Sequence, residues 1–418
     1  MLSTTQPPLR VLIAGGGVAG VECLLGLHEL VADRVAITLL SERCELIEGA
    51  VALGEPFGGA RAQHVDLAQL ATETGASFVR GTWAGVDADG RTITTLEGAS
   101  LPYDVLVMAV GAAPRLPWGH AVALDVTTPK MLQRLRREAA AVRRLVIALP
   151  PGPHWPLPGY ELALMLARDE CLGDLAIDLV TPERTPLQVF GPVVAEAVTA
   201  QLEQAGVRVH AGHRMTLSAG DPLAVRLKPS GEVFDAGLVV AVPELLPHTL
   251  RGLPIDDRGF LPVDAHGRVS GAPDIYAAGD CAAFPIKQGG LAAQQAEAVA
   301  LHVAARAGAA VQADTTRVVL RARMLTGGDD LWLRRDLLDS GDRGEVASHA
   351  LWWPPGKIAG RWLSPYLEAR RDAAAGVPHA VAHGRAVTPP RDPQPVAVPR
   401  GLDLLADPEH DAPQFPAS

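Results

Sequence analysis

The sequence predicts an α/β protein with two parallel-sheet units and a small C-terminal α+β domain. Short apolar runs alternate with helical patterns from Val11 to Leu40, and the same alternation returns from Leu145 to Ala211. Strand–helix–strand alternation is typical of parallel sheets. From Thr316 onward the pattern changes to short strands and apolar segments. We therefore expect a two-fold repeat of one architecture, followed by a separate smaller unit.

The first strand ends in a glycine-rich turn, AGGGVAG, which covers Ala14 to Gly20. Gly15 permits the tight turn, Gly17 lets the backbone approach a pyrophosphate, and Gly20 lets the following helix pack close to the strand. Glu42 follows the second strand, at roughly the 20-residue offset of a carboxylate that binds a ribose hydroxyl. This context predicts a Rossmann-like dinucleotide site rather than an unliganded glycine-rich turn.

The second unit has a different first turn, PPGPHWPLP, at Pro150 to Pro158. Proline has no backbone N–H, so this loop cannot form the usual donor cradle for a pyrophosphate. Trp155 would also occupy space in the loop. We expect this unit to bind a nicotinamide dinucleotide poorly or not at all. The alternative, an unusual nucleotide site, depends on the helix N-terminus and on Glu183 at the end of the next strand.

A third motif runs from Pro273 to Asp280, where an apolar strand leads into Gly279 and Asp280. An aspartate at that position can accept hydrogen bonds from ribitol or ribose hydroxyls. A helical pattern follows Gly289 and Gly290, and its N-terminus can direct partial positive charge toward a flavin carbonyl. Together with the glycine-rich turn, this motif predicts a flavin site.

These motifs divide the chain into segments. The predicted first unit comprises residues 1–115 and 244–312 and binds the cofactor. Residues 116–243 form the second unit, and residues 313–375 form a C-terminal interface domain. Residues 376–418 are rich in proline and charge, which predicts a disordered tail.

Charge and cysteine usage limit the function classes. The formal net charge of −10 argues against a nucleic-acid binder. No apolar run approaches a membrane span and no signal-peptide pattern is present, which predicts a cytoplasmic protein. The four cysteines form no C-x-x-C, so a disulfide framework or zinc ribbon is not expected. Cys23 and Cys171 fall in helical patterns and are predicted to be buried.

Two histidine pairs have spacings that could place them on one metal ion. They are His210 with His213, and His379 with His383. Neither pair has a carboxylate at a recognised spacing, so we interpret them as ordinary surface histidines and predict no metal site.

Three motifs together resemble the superfamily of pyridine nucleotide-disulfide oxidoreductases, which has a glutathione reductase-like fold that binds FAD and NAD(P). They are AGGGVAG (Ala14 to Gly20), LPYDVLVMAVGAAPR (Leu101 to Arg115) and APDIYAAGDCAAFP (Ala272 to Pro285). The run from Pro158 to Glu161 and the run from Lys287 to Ala300 are most similar to the sulfide:quinone oxidoreductase and flavocytochrome c sulfide dehydrogenase branch. The second run also resembles type II NADH dehydrogenases.

The resemblance implies FAD at the first site. Gly15, Gly17 and Gly20 would hold its pyrophosphate, Glu42 the adenosine ribose and Asp280 the ribityl chain. Further residues that the resemblance places at the cofactor are Val18, Ala19, Trp83, Val110, Gly111, Gly279, Lys287 and Gln288. Lys287 would lie near the flavin pyrimidine edge, where a cation stabilises the anionic reduced flavin. The alternative is a surface lysine.

The chain departs from the sulfide oxidisers in its cysteines. It has none between Cys44 and Cys171 and none after Cys281, so uptake of sulfur by disulfide exchange is not expected. The resemblance leaves Lys287, Glu55, Glu161 and Lys357 as catalytic candidates, with Glu55 and Glu161 as proton relays. For Glu161, a helix N-terminal carboxylate stabilised by the dipole is the favoured alternative.

Three functions follow from this pattern. The first is an FAD-dependent oxidoreductase that passes electrons from an unidentified donor to an acceptor such as a quinone. The second is an NAD(P)H-dependent reductase, and the third is a flavin-binding partner protein with little turnover. The tryptophan-rich segment from Leu351 to Leu363 suits peripheral membrane contact, a homodimer face or plain core packing.

Overall fold

The computed structural model describes residues 7–375, and its first sheet has five parallel strands. They are β1 (Leu9–Ala14), β2 (Val35–Ser41), β5 (Ser77–Arg80), β9 (Val105–Met108) and β20 (Ile275–Ala277). Their order in the sheet is β20-β9-β1-β2-β5. β20 pairs with β9, so a late segment of the chain completes a sheet that begins at the N-terminal end.

The second sheet also has five parallel strands. They are β11 (Val122–Ala123), β12 (Arg144–Ala148), β13 (Ala176–Val180), β14 (Arg208–His210) and β18 (Leu238–Ala241). Their order is β11-β18-β12-β13-β14. β12 occupies the central place in this sheet that β1 has in the first sheet.

Antiparallel strands make up the rest of the β structure. Two of them, β10 (Ala113–Arg115) and β19 (Glu244–Leu246), pair with each other where the chain passes between the sheets. The others are β3 (Glu45–Ile47), β4 (His64–Asp66), β6 (Trp83–Asp87), β7 (Thr92–Thr95), β8 (Ser100–Pro102), β15 (Arg214–Ser218), β16 (Leu223–Lys228), β17 (Val233–Ala236), β21 (Val319–Met324), β22 (Leu331–Asp336) and β23 (Glu345–Ala347).

Eight α-helices accompany the sheets within residues 7–375. They are α1 (Val18–Val31), α2 (Gly49–Ala52), α3 (Leu67–Glu73), α4 (Pro129–Ala139), α5 (Leu157–Ala167), α6 (Pro192–Gln204), α7 (Gly289–Arg306) and α8 (Leu363–Ala374). Short 3-10 helices span Glu55–Phe57, Glu170–Leu172 and Gln188–Phe190.

The first sheet is buried on both faces. Val11 and Ile13 pack into the cluster that contains α1 and α7, whereas Leu12 and Ala14 pack into the cluster on the opposite face. Successive strand residues point to opposite faces, and parallel sheets are normally covered on both. The continuous apolar run of β1 therefore has the physical role that its sequence predicts.

The predicted α/β class is confirmed, and the predicted segment boundaries stay a prediction. One local prediction is wrong: the helix expected to extend to Cys171 ends at Ala167, and Cys171 is exposed. Asp169 accepts a hydrogen bond from the Cys171 backbone N–H at 3.1 Å and starts a separate 3-10 turn. Cys23 is buried, as predicted.

The predicted disordered tail at 376–418 lies outside the described residues. Within the described range, none of the helices has the length and apolar character that crossing a membrane requires.

Candidate functional site

A cavity of about 960 Å³, the main cavity, is lined by residues that follow the carboxyl ends of strands in both sheets. This is the edge where α/β proteins bind ligands. The volume lies at the upper end of the range for small-molecule sites, roughly 300–1,000 Å³. The cavity therefore has both the place and the size of a cofactor site.

The glycine-rich turn forms one wall of the cavity. Gly15 has φ +117°, and a Cβ atom there would lie 2.1 Å from the Ala109 carbonyl oxygen. A Cβ at Gly17 would meet no atom within 4 Å, so the backbone is open to a ligand at this point. Gly17 is the N-cap of α1 and has no side-chain cap, which leaves the first N–H groups free for an anion. These residues fit a pyrophosphate.

Most residues predicted to bind the cofactor line this cavity. They are Gly15, Gly17, Val18, Glu42, Trp83, Val110, Gly111, Asp280, Lys287 and Gln288. Gly20 lies behind the wall, where a Cβ would be 1.9 Å from the Gly15 carbonyl oxygen. Ala19 and Gly279 pack against each other, and a Cβ at Gly279 would lie 3.2 Å from the Ala19 Cβ. These three residues do not line the cavity. Their small size lets the turns that carry the lining residues pack closely.

The turn with Asp280 is held by α7. The Gly279 backbone N–H donates to Gln295 Oε1 at 2.7 Å, and Gly279 has φ +79°. Gln288 caps α7 by accepting from the Leu291 N–H at 2.9 Å. Burial raises the pKa of Asp280, and the positive charge of Lys287 opposes that rise. The arrangement places a carboxyl group and a helix N-terminus at the same end of the cavity.

Lys287 is buried, with 3% of its surface exposed, so the surface alternative is wrong. Its Nζ donates to the carbonyl oxygens of Asp280 at 2.9 Å and Ala282 at 2.7 Å, and lies 3.7 Å from the centroid of the Phe260 ring. Burial lowers its pKa to about 8. The ammonium group thus closes the Asp280 turn on itself and adds positive charge to the cavity wall.

No cysteine is among the residues that line the cavity in the described part of the chain. Cys281 is buried, and its thiol donates to the Met108 carbonyl at 3.2 Å. Burial raises the pKa of this thiol to about 11, which disfavours the reactive thiolate. Cys44 is exposed and follows Glu42 by two residues.

The proline-rich turn of the second sheet is filled by the chain itself. A Cβ at Gly152 would lie 1.6 Å from the Glu244 Oε1, so the Glu244 carboxylate lies against this glycine. Arg115 pairs with Glu244 at 2.5 Å across the β10–β19 ladder. An acidic side chain therefore takes the space beside the one glycine of this turn.

The aromatic and acidic residues of the same turn are also engaged. Trp155 packs on Phe190 with a centroid distance of 5.9 Å and lines the main cavity. Glu183 is buried, and the Tyr160 hydroxyl donates to its Oε2 at 2.7 Å. Glu183 is therefore satisfied from within the chain, unlike Glu42, which is exposed at the cavity.

Of the four catalytic candidates, Lys287 lines the cavity, and Glu55, Glu161 and Lys357 are not among its lining residues. Glu161 and Lys357 form a buried pair, with Lys357 Nζ 2.5 Å from Glu161 Oε1. The Leu325 N–H donates to the same oxygen at 2.8 Å. Burial raises the pKa of Glu161, and Lys357 opposes that rise. Glu55 accepts from the Ala62 N–H at 2.7 Å.

The rings of His210 and His213 are neighbours, and each ring forms a hydrogen bond within the chain. His210 Nε2 lies 2.8 Å from Asp178 Oδ1, and Asp178 also binds Arg144. The interpretation of His210 as a surface histidine is wrong, because only 9% of its side-chain surface is exposed. His379 and His383 lie outside the described residues. Across residues 7–375, no cluster of three metal-ligand side chains occurs.

Sequence reasoning missed Glu244. This residue follows the last strand of the second sheet, and its closeness to Gly152 depends on how two strands cross between the sheets. The available signal was the Pro243-Glu244 pair directly after an apolar strand, where residues commonly face a ligand crevice.

A model of the pyridine nucleotide-disulphide oxidoreductase family matches residues 9–308. The chain belongs to this family. It is 30% identical over 305 residues to an NADH dehydrogenase-like protein of Mycobacterium tuberculosis, in a match that covers 66% of this chain and 73% of that protein. It is 31% identical over 174 residues to the sulfide-quinone reductase of Aquifex aeolicus, with 38% of each protein covered. The resemblance seen in the motifs is confirmed, and the chain is an oxidoreductase.

Solved structures show the same fold. The sulfide:quinone oxidoreductase of Aquifex aeolicus matches with a TM-score of 0.73 at 18% identity and covers 87% of this chain and 90% of its own. A ferredoxin reductase from Rhodopseudomonas palustris matches with a TM-score of 0.63 at 23% identity and covers 78% of this chain and 82% of its own.

Proposed function

We propose that this oxidoreductase binds FAD in the main cavity and passes electrons from a donor other than a nicotinamide dinucleotide to a small-molecule acceptor, with a quinone as the leading candidate. The observation that supports this proposal is the contrast between Gly17, which is open, and Gly152, which is covered by Glu244. The first turn is open where a pyrophosphate would approach, whereas the Glu244 side chain occupies the corresponding space in the second turn.

The residues that would hold FAD are those of the first sheet. The open N-terminus of α1 would bind the pyrophosphate, Glu42 a ribose hydroxyl and Asp280 the ribityl chain. When bound, FAD supplies the capacity to accept and release two electrons. Lys287 keeps the Asp280 turn closed through two backbone carbonyls and places a positive charge in the wall, which favours an anionic reduced cofactor.

Three features of the second turn disfavour a nicotinamide dinucleotide. Its prolines remove backbone donors, the Glu244 carboxylate takes the space at Gly152, and Glu183 is already bound by Tyr160. A pyrophosphate beside Glu244 would also bring like charges together. At about 4 Å, such charges repel by roughly 1 kcal/mol in water and 4 kcal/mol near a protein surface.

A second candidate is an NAD(P)H-dependent reductase. The similarity to an NADH dehydrogenase-like protein favours it. In that case the nicotinamide dinucleotide would have to displace Glu244 or bind outside the proline-rich turn.

The test is anaerobic stopped-flow absorbance at the flavin band on the purified protein, mixed in turn with NADH, NADPH, sulfide and a quinol. We expect no reduction by NADH or NADPH at catalytic rates and reduction by another donor. Fast bleaching by a nicotinamide would replace the first function with the second. A protein that stays oxidised with every donor yet captures a defined partner would favour a flavin-binding partner protein. Absence of a flavin spectrum would overturn the cofactor itself.

We also propose a cytoplasmic protein with peripheral membrane contact through the tryptophan-rich segment. Trp353 is 74% exposed, while the neighbouring Trp352 packs on Trp332 at 4.7 Å between centroids. Aromatic side chains suit a boundary between apolar and wet surroundings. Sedimentation of the protein with liposomes tests this contact, and loss of binding in Trp353→Ser is expected. The homodimer stays a prediction.

A further inference from the structure

The main cavity has two walls of different chemistry. The first carries the open N-terminus of α1 together with Glu42, Asp280 and Lys287. The second follows strands of the second sheet and the β10–β19 pair, and we call it the apolar wall. Its residues are Leu116, Trp155, Pro158, Val242, Pro243 and Leu245. None of these side chains carries a charge, so the apolar wall cannot bind a phosphate by charge as the first wall can.

The backbone of the apolar wall also has few hydrogen-bond donors to offer a ligand. Pro158 and Pro243 have no N–H group. The N–H groups of Val242 and Leu245 already donate to backbone carbonyls of the chain, at 3.0 Å and 2.7 Å. An anion needs such donors, whereas an uncharged ring does not.

The charged residues beside the apolar wall are engaged within the chain. Arg115, at the end of β10, pairs with Glu244 at 2.5 Å. Asp125 follows β11, which neighbours β18 in the second sheet. Its Oδ1 accepts from the Thr127 N–H at 2.8 Å, and its Oδ2 accepts from the Thr128 hydroxyl at 2.7 Å. The surroundings of the wall therefore favour an uncharged ligand over an ionic one.

The apolar wall lies toward the end of the cavity that would hold the redox-active ring of FAD. In the sheet order β20-β9-β1-β2-β5, Asp280 follows β20 and Glu42 follows β2, on opposite sides of the glycine-rich turn. Trp155 also lines a small cavity of about 40 Å³ together with residues 285–286, which directly precede Lys287. The wall is therefore close to the Asp280 and Lys287 end of the cavity.

We propose that the apolar wall is the binding subsite of the acceptor, and that it takes an uncharged, flat ring of the quinone class. The inference rests on the proposed function for the role of this ligand. Trp155 supplies a broad aromatic side chain, and such side chains bind flat rings. Among residues 7–375, Leu245 lies outside every buried apolar cluster and is partly exposed, so its side chain can contact a ligand. Both walls belong to one cavity, so the acceptor would lie beside the cofactor.

The test is isothermal titration calorimetry with menadione, a small uncharged quinone, on the protein as purified in its oxidised form. Protein and quinone are both oxidised, so binding is measured without electron transfer. The decisive pair of variants is Leu245→Asn and Leu246→Asn. The two leucines are neighbours on β19 and both are partly buried, but Leu245 lines the cavity and Leu246 does not.

Leu245→Asn should weaken the binding of menadione at least about tenfold, because a polar amide replaces an apolar contact. Trp155→Ala should weaken it to a similar extent, because the aromatic side chain is lost. Leu246→Asn should bind menadione as the wild type does. A melting curve and the visible spectrum of each variant check that the fold and the flavin content are kept.

Unchanged affinity in Leu245→Asn and Trp155→Ala, or an equal loss in Leu246→Asn, would overturn the subsite. A wild type that does not bind menadione would overturn it too, as would NADH that binds and loses affinity in the same variants. If menadione binds as expected but does not reoxidise the photoreduced protein, the subsite stands and the acceptor of the proposed function is wrong.

Discussion

The helices that follow the two central strands, α1 after β1 and α5 after β12, begin alike, but the turns before them differ. In α1 the third residue is Gly20 and the fifth is Glu22; in α5 they are Gly159 and Glu161. Both glutamates are buried, and both bind the C-terminal part of the chain. Glu22 accepts from the backbone N–H groups of residues 362 and 363, whereas Glu161 binds Lys357 and a backbone N–H.

The turns that precede these helices differ in the space that they leave for a ligand. Gly15 and Gly17 leave room for a phosphate, while the second turn has one glycine, Gly152, which is covered by Glu244. The features that pack a helix on its sheet and anchor it to the C-terminal region are therefore present twice. The features that bind a dinucleotide are present once. Packing of such a helix on its sheet therefore does not require the phosphate cradle.

The largest expected effect comes from breaking the anchor of α5. Lys357→Met should lower the free energy of unfolding by about 3–5 kcal/mol, because it leaves the buried Glu161 carboxylate without its partner. The double variant Glu161→Gln with Lys357→Met should recover most of that loss. Denaturant titration measures both, and Lys130→Met at an exposed site of α4 is the control. A loss below about 1 kcal/mol would show that the pair is not an anchor.

The two helix glycines should differ when each is replaced by alanine. A Cβ at Gly20 would lie 1.9 Å from the Gly15 carbonyl, which is backbone, whereas a Cβ at Gly159 would lie 3.0 Å from the end of the Leu149 side chain. Gly20→Ala should cost about 1–3 kcal/mol and lower the flavin content. Gly159→Ala should be neutral or gain up to about 1 kcal/mol from helix propensity. Equal thermal shifts in the two variants would contradict this difference.

Alanine at Gly17 and alanine at Gly152 should have different effects on the affinity for FAD and on the melting temperature. Gly17→Ala adds a methyl group in open space, so the melting temperature of the cofactor-free protein should stay the same. Its affinity for FAD should fall at least tenfold, or about 1.4 kcal/mol, because the methyl group occupies the approach of the pyrophosphate. Gly152→Ala should leave the affinity for FAD unchanged and lower the melting temperature only slightly, because the methyl group moves the flexible end of the Glu244 side chain and no backbone. Titration with FAD and a melting curve for each variant separate the two effects.

The sequence predicted the first turn well because every signal there is local. A strand, a glycine spacing and a helical pattern fall within twenty residues of one another, and Glu42 follows the next strand. It also predicted that the proline-rich turn would not form a phosphate cradle. It did not predict what fills that turn, or that Glu161 and Lys357, which are 196 residues apart, would pair away from the cavity. Those contacts depend on how the C-terminal domain packs.

The smallest effect concerns Glu42, which follows β2, and Glu183, which follows β13. Glu42 is exposed at the cavity, whereas burial raises the pKa of Glu183 from 4.5 to about 7. Between these pH values the folded chain holds a proton on Glu183 that the unfolded chain has released. The unfolding free energy should therefore fall as pH rises from about 4.5 to 7. Glu183→Gln should make that slope shallower. Denaturant titrations over this range measure the slope. A slope in Glu183→Gln identical to that of the wild type would show that Glu183 does not hold the extra proton of the folded chain.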